Sequence, residues 1–66
     1  MTVSEAIQKL ANRTDLTRAE TSDAMTQVMS GEATEVQIAG FLIALRTKGE
    51  TVEEVAGAAD AMRLKA

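Results

Sequence analysis

Four copies of one short pattern constrain this chain more than anything else in it. Thr2-Val3-Ser4-Glu5, Thr17-Arg18-Ala19-Glu20, Thr34-Glu35-Val36-Gln37 and Thr51-Val52-Glu53-Glu54 each place a threonine three residues before Glu or Gln. This is a capping box: the threonine oxygen accepts the backbone N–H three residues on, and the Glu or Gln reaches back to the threonine N–H. One match is weak, but four, each opening an apolar-periodic segment, predict four helix starts. The chain has no proline to break the helices those boxes open. Gly31 and Gly49 stand where the second and third helices should stop, since glycine adopts the left-handed conformation that ends a helix. The expected fold is all-α, a small bundle of four short helices over residues 3–12, 18–30, 35–48 and from 52 toward the C-terminus. The boxes at Thr17, Thr34 and Thr51 are evenly spaced, but the segments share little beyond their ends. Similar helix lengths joined by short turns explain the spacing better than an internal repeat.

Each segment carries a different apolar pattern. Val3, Ile7, Leu10 and Ala11 make a stripe on the first helix, and Ala24, Met25, Val28 and Met29 are expected to face inward on the second. The third is apolar over a far wider arc, roughly 200° at 100° per residue, about twice what a surface helix needs. Ile38, Leu42 and Leu45 share one side, Phe41 flanks them in one direction, and Ala39 and Ile43 flank them in the other. Leu42 and Leu45 can face the domain's own core, but Phe41 and Ile43 point apart. Either this helix is central and surrounded, or one flank meets a second protein surface. A domain this small rarely hides one helix on all sides, which favours the second arrangement. Arg46 falls inside the arc, where it can lay its methylenes on apolar surface with the guanidinium in water or take part in the contact. The candidate interface residues are Ile38, Phe41, Leu42, Ile43, Leu45 and Arg46.

The fourth segment is thin. Ala56, Gly57, Ala58, Ala59 and Ala61 leave little side-chain bulk, so a neighbouring backbone can approach closely. Gly57 costs about 1 kcal/mol against alanine in a helix interior, and close packing is the simplest compensation. Val52, Val55, Ala59 and Met62 make its apolar line. The chain then ends at Ala66 without a glycine cap or polar tail, which reads as the edge of a longer protein.

Composition excludes several function classes. The 66 residues suffice for one domain. Without cysteine or histidine there is no thiolate, no usual proton shuttle and not the commonest metal ligand. Ser4, Ser22 and Ser30 therefore have no histidine to activate them. Asp15, Glu20 and Asp23 are near in sequence, but no loop gathers them as a calcium site does. Glu5 and Lys9 stand at the spacing of a surface ion pair. The net charge of −3, a single aromatic residue (Phe41) and the lack of a basic cluster argue against nucleic acid. No apolar run approaches the roughly 20 residues that span a bilayer, and no signal peptide is visible, so a cytoplasmic location is expected. Two other acidic helical classes fail on their residues. Ser22-Asp23-Ala24 is not the Asp-Ser-Leu site of a carrier protein, and the third helix exposes few of the basic and amide side chains a DNA reader needs. No catalytic, cofactor-binding or metal-binding residue is assigned.

The stretch MSGEATEVQIAGFLIALRTKGETVEEVAGAADAMR, residues 29–63, together with the preceding LTRAETSDAMTQV, resembles the N-terminal helical domain of the anthranilate phosphoribosyltransferase family. Gly31-Glu32, QIAGFLIALRTKGET and EEVAGAADAMR carry the likeness most specifically. A related helical domain opens the pyrimidine nucleoside phosphorylases, but the Gly31-Glu32 turn and the alanine-rich helix fit the transferases better. The resemblance implies a helical dimerisation domain packed on a larger α/β domain that this chain lacks. It also implies transfer of phosphoribosyl from phosphoribosyl pyrophosphate to anthranilate in tryptophan biosynthesis, with magnesium, by a homodimer. The magnesium carboxylates and the glycine-rich pyrophosphate loop of that family have no counterpart here, so no site residue is carried over. The resemblance would place the surplus flank of the third helix against a second subunit or the larger domain, and the thin fourth helix beside the α/β domain. The rival reading is a free-standing helical adaptor for an amphipathic helix of another protein.

Overall fold

The computed structural model describes residues 1–65. It contains four helices, α1 (Val3–Ala11), α2 (Arg18–Ser30), α3 (Glu35–Lys48) and α4 (Val52–Lys65), and no strand among those residues. All four capping boxes close in both directions. Thr2, Thr17 and Thr34 accept from the N–H of Glu5, Glu20 and Gln37 and receive their side chains in return. Thr51 Oγ accepts from Glu54 N–H at 3.1 Å, and Thr51 N–H donates to Glu54 Oε1 at 2.9 Å.

The helix stops are local too. Gly31 ends α2 at φ +82°, with Glu32 N–H donating to Gln27 O and Gly31 N–H to Val28 O. That pair of bonds closes the last carbonyls in a Schellman motif. The same pattern ends α1 without glycine. Arg13 takes φ +58°, Arg13 N–H donates to Leu10 O, and Thr14 N–H donates to Lys9 O. A non-glycine residue here carries the steric cost of the left-handed region.

The helices form a series, α3 on α1, α1 on α2 and α2 on α4, while α3 and α4 share at most marginal contact. The Cα atoms occupy 30 × 25 × 17 Å, so the series is a slab and not a ring. Of the two arrangements open for α3, the surrounded one does not occur; α1 holds the inner position. The core is Val3, Ala6 and Leu10 of α1, Leu16 of the following loop, Ala24 of α2, and Phe41 and Leu45 of α3. Ile7, Met25, Val28 and Ala44 pack against it. Ala6 takes the place expected for Ala11, which is exposed.

The apolar line of α4 lies outside, and the helix packs inward through its small residues. Glu54, Gly57 and Ala61 are buried, whereas Val52, Val55 and Met62 are exposed. The reason is visible at Gly57, where a Cβ would lie 2.3 Å from the carbonyl oxygen of Arg18 and 2.9 Å from Thr21 Cβ. Here α4 lies against α2 backbone to side-chain stem, so the missing side chain makes the contact. The large apolar residues are left outside. Thr21 is buried at this crossing with its hydroxyl donating to Thr17 O at 3.0 Å, so no polar group is stranded. At the far end Arg18 clamps Asp60 through Nε at 2.6 Å and Nη2 at 2.8 Å.

Gly57→Ala gains helix propensity but drives a methyl into backbone that no rotamer change can move. We expect a net loss of about 1–3 kcal/mol. At Gly40 a Cβ meets only Ile7 Cδ1, at an ordinary 3.5 Å, so Gly40→Ala is expected to gain about 0.5–1 kcal/mol. Urea unfolding of both variants in dilute solution checks the opposite signs.

Candidate functional site

The most constrained side chains lie where three segments meet. Lys48 sits in the last turn of α3, and its ammonium donates to Asp15 Oδ1, Gly49 O and Glu54 Oε1, each at 2.9 Å. Three donors meet three acceptors, so the group is fully satisfied. Glu54 accepts from Lys48 and Thr51 N–H on Oε1, and from Leu16 N–H on Oε2 at 2.7 Å. The two side chains are only 5% and 1% exposed. This knot joins the α1–α2 loop, the end of α3 and the start of α4. Burial pushes the Glu54 carboxyl up, but the N–H groups of Leu16 and Thr51 and the Lys48 ammonium outweigh it and hold its pKa below the usual carboxylate range. Burial likewise pushes Lys48 down, and the carboxylates of Asp15 and Glu54 outweigh it to raise its pKa. The sequence showed Glu54 only as a cap partner and Lys48 only as a cation at a helix end; their meeting is a tertiary fact with no local signal.

The knot fixes two apolar faces that point outward. On α3, Phe41 is fully buried and Leu45 nearly so, whereas Ile43 is 65% and Leu42 53% exposed. The expected interface set therefore divides. Phe41 and Leu45 belong to the core and offer no outer surface, a correction that follows from their contact with α1. Ile38 is half-buried; Leu42, Ile43 and Arg46 lie outside. Leu42 does not face the core as expected, because the core-facing direction runs through Phe41 and Leu45. Val36, 81% exposed, joins the outer face and was missed. It stands seven residues before Ile43, two turns along one face, but inside a capping box it reads as part of a cap. Leu42, Ile43, Arg46, Thr47 and Glu50 line an open groove at the foot of this face.

The second face is the outer side of α4. Val52 at 83%, Val55 and Met62 are exposed in a line. A shallow groove there runs over Glu50, Val52, Val55, Ala56 and Ala59. Glu50 borders both grooves, so the two faces adjoin at the connection between α3 and α4.

Nothing in the described residues gathers reactive groups. Asp15, Glu20 and Asp23 each face a different cation: Lys48, Lys9 and the Met1 ammonium. Lys9 reaches Glu20 on α2 and not Glu5, which is held in its cap by Thr2. The Ser30 hydroxyl is engaged with Gln27 O and Glu32. No three His, Cys, Asp or Glu side chains among the described residues converge as a metal site. No helix there is long and apolar enough to cross a membrane.

The array combines engaged polar groups with two bare apolar faces. Residues 4–66 match the helical bundle domain of the glycosyl transferase family, and the chain belongs to that family. It is 56% identical over 64 residues to an anthranilate phosphoribosyltransferase of Geobacter sulfurreducens, a match covering 97% of this chain and 18% of that protein. The corresponding protein of Syntrophobacter fumaroxidans is 53% identical over 64 residues, covering 97% of this chain and 19% of the relative. That of Geotalea uraniireducens is 57% identical over 63 residues, 96% of this chain and 18% of the relative. The chain thus spans less than a fifth of the length of these relatives.

The knot sets a pH window. The depressed Glu54 pKa contributes stability above the unfolded value of about 4.3 that is lost as pH falls through the folded value. The raised Lys48 pKa contributes stability below about 10.4 that is lost as pH rises through the folded value. Glu5, Glu20 and Asp60 are also held low, chiefly by the Thr2 N–H, the Thr17 N–H and the Arg18 guanidinium respectively, and share the acid limb. Glu54→Gln leaves Lys48 buried beside a neutral group and is expected to cost about 2–4 kcal/mol at neutral pH. It should also make the acid limb shallower, as read from urea midpoints between about pH 2 and about pH 8.

Proposed function

We propose that this chain is the N-terminal helical domain of an anthranilate phosphoribosyltransferase, and that the rest of that protein is a larger α/β domain carrying the chemistry. The parent enzyme would transfer phosphoribosyl from phosphoribosyl pyrophosphate to anthranilate in tryptophan biosynthesis, in the cytoplasm, with magnesium held by the α/β domain. The observation that carries this reading is identity of 53–57% along nearly the whole chain to transferases several times its length. The side chains supply a role that fits. With no activated nucleophile, acid or base, the domain contributes surfaces. The outer line of α4, Val52, Val55 and Met62, is a place for the α/β domain to pack. The outer face of α3, with Val36, Leu42 and Ile43, is a place for a second subunit, making the domain both a cleft wall and a dimer contact.

Three measurements test the reading. The gene should continue past Ala66 into a glycine-rich α/β sequence; a stop codon there would favour a free-standing adaptor. The 66-residue chain alone should not turn over anthranilate, and turnover by the pure chain would refute the division of labour. It should also self-associate in sedimentation equilibrium at high micromolar concentration. Ile43→Asp should shift it to monomer with an unchanged melting temperature, because a charge on this exposed position disturbs only the contact. A wild-type chain that stays monomeric would count against the α3 contact.

A further inference from the structure

The four helices are not held alike. The hydrophobic core draws on α1, the α1–α2 loop, α2 and α3, and among the described residues it takes nothing from α4. Inward, α4 presents Glu54, Gly57 and Ala61, while its large apolar side chains, Val52, Val55, Met62 and Leu64, are all more than half exposed. Residues as small as Gly57 and Ala61 remove little apolar area from water, and that area sets the strength of a hydrophobic contact. What holds α4 is polar and sits at two points. Near its start Glu54 accepts from the Leu16 N–H and from the Lys48 ammonium. Further along, Asp60 takes the Arg18 guanidinium. The surface beneath α4 can also stand without it. Thr21 is the buried polar side chain there, and its hydroxyl donates to Thr17 O within α2, so lifting α4 strands no hydroxyl donor. α2 keeps its own place on the core through Ala24, Met25 and Val28, and Lys48 keeps Asp15 and the Gly49 carbonyl.

We propose that α4 is a latched arm: it leaves α2 and melts as one unit while α1, α2 and α3 stay packed, and the Lys48–Glu54 contact and the Arg18–Asp60 clamp are its two latches. Regions with few buried apolar contacts open at lower free energy than the core they lie on. A helix of 14 residues without a packing surface is marginal in water, so α4 loses its helix when it lifts. The latch at Glu54 makes the opening two-state, because a carboxylate and an ammonium are either matched in the interior or returned to water. The line of Val52, Val55 and Met62 exists only on the formed helix. Whatever covers that line therefore binds the closed arm alone and holds α4 on α2 by mass action. The opening itself is a property of this chain and does not depend on the identity of the cover.

The test is amide hydrogen exchange of the 66-residue chain, followed residue by residue by NMR at low urea. Gly57 to Ala61 should exchange at least about tenfold faster than Leu10, Phe41 and Leu45, with a shallower dependence on urea. Arg18→Ala removes one latch and leaves the sequence of α4 untouched. It should speed exchange at Gly57 to Ala61 by about threefold. Ile7→Val weakens the α1–α3 contact, where Ile7 lies beside Gly40. It should speed exchange at Leu10, Phe41 and Leu45 by about two- to tenfold and leave Gly57 to Ala61 unchanged, because α4 opens before that packing is lost. Equal exchange in α4 and the core, or an Ile7→Val effect that reaches α4 in full, means that α4 leaves only when the whole domain unfolds, and overturns the proposal. A separately opening α4 that is indifferent to Arg18→Ala overturns the Arg18–Asp60 latch.

Discussion

The Glu54 carboxylate is the point on which this small structure turns. It closes the cap of α4, holds the Leu16 backbone N–H in place, and neutralises the ammonium at the end of α3. Leu16 is a core residue in a loop, and loops rarely bury large apolar side chains unless their backbone is held. The Lys48–Glu54 contact also joins α3 to α4, two helices that otherwise barely touch. A buried ion pair is weak evidence for stability in itself, because desolvation offsets most of the attraction. Here its value lies in geometry. The three ammonium protons and both Glu54 oxygens are engaged, and the groups come from the α1–α2 loop, the end of α3 and the start of α4.

What the sequence revealed and what it hid divide along the range of the forces involved. The helix starts were legible because a capping box is a contact between residues three apart, and each of the four closed as the pattern required. The stop at Gly31 was legible for the same reason; Gly49 also ends α3, but at φ +94°, ψ 120°, outside the left-handed helical conformation expected of it. The stop of α1 at Arg13 was not legible, since nothing in an arginine announces a left-handed conformation. The close approach at Gly57 was legible in the thinness of α4, but the direction of its apolar line was not: Gly57 packs on the backbone of α2, and Val52, Val55 and Met62 are left outside. On α3 the width of the apolar arc was legible and its division was not. Phe41 and Leu45 turned inward and Val36 and Ile43 outward because α1 lies on one side only.

That division bears on why the domain leaves apolar surface bare. Four helices in a slab give every helix an outward side, and only charge or small residues would make such sides comfortable in water. α1 follows this rule, with Ser4, Glu5, Gln8 and Ala11 outside. α3 and α4 do not, and their bare faces adjoin at Glu50. Scattered exposed apolar residues are ordinary, but two adjoining lines of them on consecutive helices are the arrangement expected of a surface meant to be covered.

The knot and the bare faces are parts of one design. Lys48 lies one turn beyond Ala44 and two residues beyond Arg46, at the end of the helix that carries the first face; Glu54 lies two residues after Val52, at the start of the second. An exposed pair in this position would tether the helices loosely, because long side chains in water lose their geometry to entropy and screening. A buried pair with every donor and acceptor matched permits one arrangement and penalises its neighbours. The angle between the two outer faces is thereby set inside the domain, before either is covered. Two outer faces on neighbouring helices keep a defined relation to each other only if the joint between those helices is rigid, and the knot supplies that rigidity. Placing scarce buried charge at the joint between α3 and α4, and not in the core beneath Phe41, accords with that requirement.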